Sequence, residues 1–144
     1  MTGVALATAD VEAALKTYLK TNLTPETLAG RVFYSVPAST PVLPIVTLFE
    51  LNVSPQRGEV GVGDHTISFD CWARTKQEAS DIKRALVGLM QTIAHTQLDS
   101  DTYCYGLVDG ALSSSWRPDN DAKLARYVVD ATLTCVPRSA VQTP

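Results

Sequence analysis

The hydrophobic and polar positions along the chain change period several times, and each change marks an element. In TADVEAALKTYLKTNL, Val11, Ala14, Leu15, Tyr18 and Leu19 recur at i, i+3, i+4, i+7 and i+8, the spacing of one helical face. Thr8 or Asp10 can cap its start, Lys16 and Lys20 suit the negative end of the helix dipole, and the helix is expected to end near Asn22, ahead of Pro25. The period then falls to two. Val32, Tyr34 and Val36 alternate in a first β run, and a proline-bounded connection, Pro37 to Pro41, separates it from a second. In that second run Ile45, Thr47, Phe49, Leu51 and Val53 share one face while Val46, Leu48, Glu50 and Asn52 share the other, so part of the strand is expected to be covered on both sides. Pro44 requires a strand start or an edge.

SPQRGEVGVGDH interrupts the alternation with Gly58, Gly61 and Gly63. The glycine order is not that of a phosphate-binding turn, and no βα junction flanks it. It reads as a hairpin arm over residues 54–64, with Val60 and Val62 expected to be exposed and to order against a partner; a loose turn is the alternative. Gln56, Arg57, Glu59, Val60 and Val62 are therefore candidate assembly-interface residues.

TISFDCWARTKQEASDIKRALVGLM joins a strand to a helix. Ile67, Phe69 and Cys71 alternate with Thr66, Ser68 and Asp70, Trp72 closes the run, and Thr75 with Glu78 forms a T-x-x-E capping box. Ala79, Ile82, Leu86, Leu89, Met90 and Ile93 make an apolar stripe, with Lys76, Lys83 and Arg84 on the other side. Two further β runs follow, TYCYGLVDGALSSSW and AKLARYVVDATLTCV, joined by RPDND, whose proline and Asx residues are turn formers. The order is α-β-β-β-α-β-β. It predicts an α+β fold: a single mixed, mostly antiparallel sheet of about five strands with two helices packed on one face. Residues 1–136 form one domain on this reading, and 137–144 a C-terminal tail.

Composition narrows the function more by exclusion than by indication. The 144 residues are 45% hydrophobic and 19% charged, enough for one globular core. A formal charge of −3, with 12 scattered basic residues, argues against gripping nucleic acid by its phosphates. No apolar run is long enough for a membrane span, and MTGVALATAD lacks the basic start of a secretory signal, so the chain is expected to stay in the compartment where it is made. Cys71, Cys104 and Cys135 lie in apolar runs without metal-ligand spacing and read as buried thiols; His65 and His95 belong to no ligand pattern. The acids at Asp99 and Asp101, and at Asp119 and Asp121, read as turns because the third acid, central glycine and terminal glutamate of a calcium loop are missing. No catalytic motif is present, and no enzyme, cofactor or metal is expected.

The order VFYSVPASTPVLPIVTL, ISFDCWARTKQEASDIKRALVGLM and ARYVVDATLTC resembles the tail-terminator or tail-completion family of long flexible-tailed bacteriophages. The resemblance spans roughly residues 8–136, with Val36, Pro37, Pro44, Trp72, Glu78 and Ala79 the best-matching positions; the arm and the PRSAVQTP tail match nothing specific. It implies a virion structural protein: a ring, typically hexameric, that caps the tail tube, ends its polymerisation and provides the head-to-tail joining surface. The implied partners are further copies of the chain, the tail tube protein and a head-completion protein, the stopper or connector. DNA would pass through the lumen without specific binding, at the head-proximal end of a tail assembled in the host cytoplasm. No membrane is involved.

Such a ring needs two different complementary flanks on each subunit. Trp116 and Arg117 are residue types favoured at interface hot spots, although Trp116 could equally be core, and with Asp119 and Asp121 they complete the candidate interface. Six copies at −3 each carry −18, and acids facing the lumen would keep DNA sliding. Another head-tail connector or neck ring protein, or a small-molecule-binding module or enzyme, is the alternative.

Overall fold

The computed structural model describes residues 9–23, 28, 30–36, 42–55 and 61–137. Among the described residues eight elements follow one another: α1 (Val11–Asn22), β1 (Val32–Phe33), β2 (Ile45–Pro55), β3 (Gly63–Ala73), α2 (Lys76–Gln91), β4 (Thr96–Gln97), β5 (Thr102–Trp116) and β6 (Ala125–Pro137). Both helices start on a side-chain cap. Asp10 Oδ1 accepts the Ala13 N–H at 3.1 Å, which decides between the two candidates for α1, and Thr75 Oγ1 accepts the Glu78 N–H at 3.2 Å. Each such cap satisfies an otherwise orphaned amide and stabilises its helix by about 1 kcal/mol.

The strands form one sheet of six in the order β1-β2-β3-β6-β5-β4. β1 runs parallel to β2 and every other neighbouring pair is antiparallel. The fold is therefore the expected α+β arrangement with one strand more than the five anticipated. The addition, β4, is two residues long, too short to show a period in sequence. On one face of the sheet Val46 and Leu48 of β2, Ile67 and Phe69 of β3, and Val129 and Leu133 of β6 meet Leu15 and Leu19 of α1 and Ile82, Leu86 and Met90 of α2 in a single buried cluster.

Two irregularities depart from simple alternation. Glu50 pairs with Ile67 and Asn52 with Thr66, leaving Leu51 as an extra residue in a β-bulge. The bulge shifts the phase of β2, so Val53 pairs with His65 on the helix-covered side and not with the Ile45 and Phe49 face that strict alternation assigns it. In β5, Leu107 pairs with Leu133 and Leu112 with Ala131, so Val108 to Ala111 span the stretch opposite the single residue Thr132. Gly110 takes φ 73° there, a left-handed turn position that suits glycine.

The face away from the helices is polar along its centre. The Thr66 and Thr132 hydroxyls hydrogen-bond across the ladder at 2.9 Å, and Thr134 Oγ1 donates to Asp64 Oδ1 at 2.7 Å. Toward one end of that face, the tip of the sheet where β5 turns into β6, Trp72 Nε1 donates to Thr47 Oγ1 at 3.1 Å, and the Arg126 guanidinium lies 4.9 Å above the Trp72 ring. The anticipated acidic turns close on themselves. Asp99 Oδ1 accepts the N–H groups of Asp101 and Thr102, and Asp119 Oδ1 those of Asp121 and Ala122. Among the described residues no group of three or more His, Cys, Asp or Glu side chains is placed to hold a metal ion, and no helix is long and apolar enough to cross a membrane.

Candidate assembly surfaces

Of the candidate interface residues, Gln56, Arg57, Glu59 and Val60 lie outside the described residues. The strands themselves reach Pro55 and begin again at Gly63, so part of the stretch taken as an arm belongs to the ladder. Val62 is 5% exposed, so a charged replacement there would test folding and not docking.

Trp116, Arg117, Asp119 and Asp121 come together at the tip. The 38% exposed Trp116 is neither core nor free: its ring sits 5.0 Å from that of Tyr127, and Lys76 Nζ lies 4.9 Å from its centroid. Arg117 and Asp121 are exposed, with Arg117 Nε donating to Ser115 Oγ at 3.2 Å. Arg126 Nε donates to the Arg117 carbonyl at 2.7 Å and so ties the turn to the sheet. Between Trp116 and the turn lies a shallow open groove lined by Lys76, Pro118, Asp119, Lys123 and Leu124.

The other margin of the sheet escapes the sequence reading. Phe49 and Leu51 are 43% and 52% exposed on β2, and Tyr34, Val36 and Val42 are exposed beside β1 and ahead of β2. The signal lies in the two-sided apolar pattern of β2, which calls for a cover on both faces. Ile45 and Thr47 obtain theirs from within the chain and are buried; Phe49 does not. Large side chains grouped on one margin mark an interaction surface more often than singly scattered ones do.

A part-buried polar link ties the same margin to the core. Glu12 of α1 accepts the Glu50 N–H at 2.7 Å, and Glu50 Oε1 lies 2.5 Å from Nδ1 of His65, a fully buried residue. His65 Nε2 has no hydrogen-bond partner among the described residues. It lies where a Cβ on Gly63 would come within 3.3 Å of it. Glu50→Ala should strip the imidazole Nδ1 of its carboxylate partner and cost about 1–3 kcal/mol in urea unfolding, the usual range for orphaning a buried polar group. An unchanged midpoint would mean that the histidine is satisfied by other means.

All three cysteines are free and buried. Burial pushes the Cys71 thiol up to about 12. Cys104 and Cys135 face each other across β5 and β6; their hydrogen bond holds Cys104 below the usual thiol range and raises Cys135. Asp70, on the polar face, is raised mainly by burial, against the lowering effect of Arg126.

The family model described as Tail completion protein gp17 matches residues 13–134. The chain belongs to that family. It is a family of phage tail structural proteins, the kind that the sequence resemblance indicated. Among solved structures, a chain of the "Virion of native gene transfer agent (GTA) particle" has the same fold, with a TM-score of 0.59 and 22% identity over 88% of this chain and 94% of that one. No curated protein matches the sequence.

Proposed function

We propose that the chain forms a closed ring, of six copies, that caps the tail tube at its head-proximal end, stops tube polymerisation and offers the surface to which a head-completion protein joins. Beyond family membership, one observation carries this reading: exposed large apolar side chains stand on both margins of one sheet, and the two groups are unlike. Tyr34, Phe49 and Leu51 lie on the β1–β2 side, and Tyr105 and Trp116 on the β5 side. Unlike surfaces on opposite sides of a subunit suit head-to-tail association, which closes into a ring when the rotation permits.

The polar face supports a passage for DNA. Asp64, Asp70 and Asp130 stand on it among Thr66, Thr132 and Thr134, and Arg126 is engaged with Asp70 and Trp72. Lining the hole with this face would present acids and hydroxyls to the phosphates, so that DNA passes without adhering. The partners on this reading are other copies, the tail tube protein and the head-completion protein, joined in the host cytoplasm.

Mass measured by light scattering, together with negative-stain microscopy of the protein alone and mixed with tail tubes, tests the proposal. Rings seated at tube ends, and tubes that no longer lengthen when tube protein is added, are the expected outcome. A protein that stays monomeric at both high concentration and in the presence of tubes would overturn it.

A further inference from the structure

We infer that neighbouring copies meet with the β5 margin of one against the β1–β2 margin of the next, placing the serine run Ser113 to Ser115 beside Phe49. The inference rests on the proposed ring and assigns the surfaces that would form it.

The pairing registers fix heights across the sheet. Phe49 is level with Ser68, Ser68 with Asp130, and Asp130 with Ser113, so Phe49 and Ser113 end one row on opposite margins. Likewise Leu48, Phe69, Val129 and Ser114 form a row, and β1, parallel to β2 with Val32 beside Val46 and Phe33 beside Thr47, leads toward that level and the exposed Tyr34. Rotation about an axis along the strands carries a copy sideways without changing heights, so residues that end the same row are brought face to face. Chain direction agrees: three successive antiparallel pairings make β5 run opposite to β2, so the junction continues the antiparallel sense of the sheet.

Size also matches. Phe49 is exposed on the face away from the helices, and Ser113 and Ser115, on the same face at the other margin, are exposed and small, leaving room for the phenyl group. Proteins usually guard open edges with Lys, Pro or inward charge. Leu112 to Trp116 carries none of these. Because Glu12 already holds the Glu50 N–H, and bulges interrupt both strands, the junction is made by side chains and not by an unbroken hydrogen-bonded ladder.

Cysteine cross-linking in the full chain tests this, with Phe49→Cys and Ser113→Cys combined and also made singly. The native cysteines are buried, so each single variant controls for them. Mild oxidation of the double variant should give a ladder of covalent multimers ending at the ring, while the single variants stay monomeric on a denaturing gel. Rings in the microscope without a ladder would overturn the inference while leaving the proposed ring standing. Dimers from Phe49→Cys alone would also overturn it, by showing a two-fold contact. No ring and no ladder would overturn both.

Discussion

Phe69→Ala should destabilise the domain by about 3–5 kcal/mol, the usual cost of deleting a buried aromatic side chain. Phe69 is fully buried in β3 and is level with Leu48 on one side and Val129 on the other, on the face that meets both helices. Strand pairing holds its neighbours on both sides, so the cavity collapses little, and the lost contacts add to the lost transfer free energy. A domain of this size has a total stability of about 5–15 kcal/mol, so the variant should unfold at a much lower urea concentration with a similar slope. Phe49→Ala, on the opposite face of the adjacent strand and 43% exposed, provides the contrast: monomer stability should change little while assembly weakens. If the two substitutions cost the same in the monomer, the assignment of faces is wrong.

That contrast also shows where sequence reading succeeds and where it stops. Local pattern identifies the sheet-facing stripe of α2, the Thr75 cap, and the β5–β6 hairpin, because each is set by neighbours close in the chain. Phe69 and Phe49 both fit an alternating pattern, yet one is core and the other surface. What separates them is a covering layer contributed by α1 and α2 on one face of the sheet only, and alternation does not say which face receives it. The Leu51 bulge is equally hidden: a leucine in an apolar run carries no mark of being unpaired, and the phase of Val53 follows from that one residue. Val62 reads as exposed because glycines surround it in sequence, but β3 begins at Gly63 and draws it under cover. At the tip, residue types indicate an interface and the turn chemistry holds, whereas the tilted packing of Trp116 against Tyr127 beside Lys76 depends on three elements meeting.

Cys71 should contribute a share of the protein's alkaline instability that a single substitution removes. Its thiol, pushed up from 9.0 to about 12 mainly by burial, stays protonated in the folded state over a range where an unfolded thiol ionises. The folded pKa is the higher one, so this contribution to stability is fully present below about pH 9 and is lost as pH rises from 9 toward 12. Within that window the unfolded state binds fewer protons, and stability falls by about 1.4 kcal/mol per pH unit for one group, or about 4 kcal/mol across the whole span. The contributions of Cys104 and Cys135 are common to wild type and Cys71→Ala and cancel in the difference. Urea unfolding of both proteins from about pH 8 to about pH 10.5 should therefore show Cys71→Ala less stable at the lower end, where the lost sulfur leaves a small cavity, with the gap narrowing and then reversing as pH rises. Parallel curves would mean that water reaches the thiol and that the layer between β3 and α2 is looser than the packing of Cys71, Ile82 and Leu86 implies.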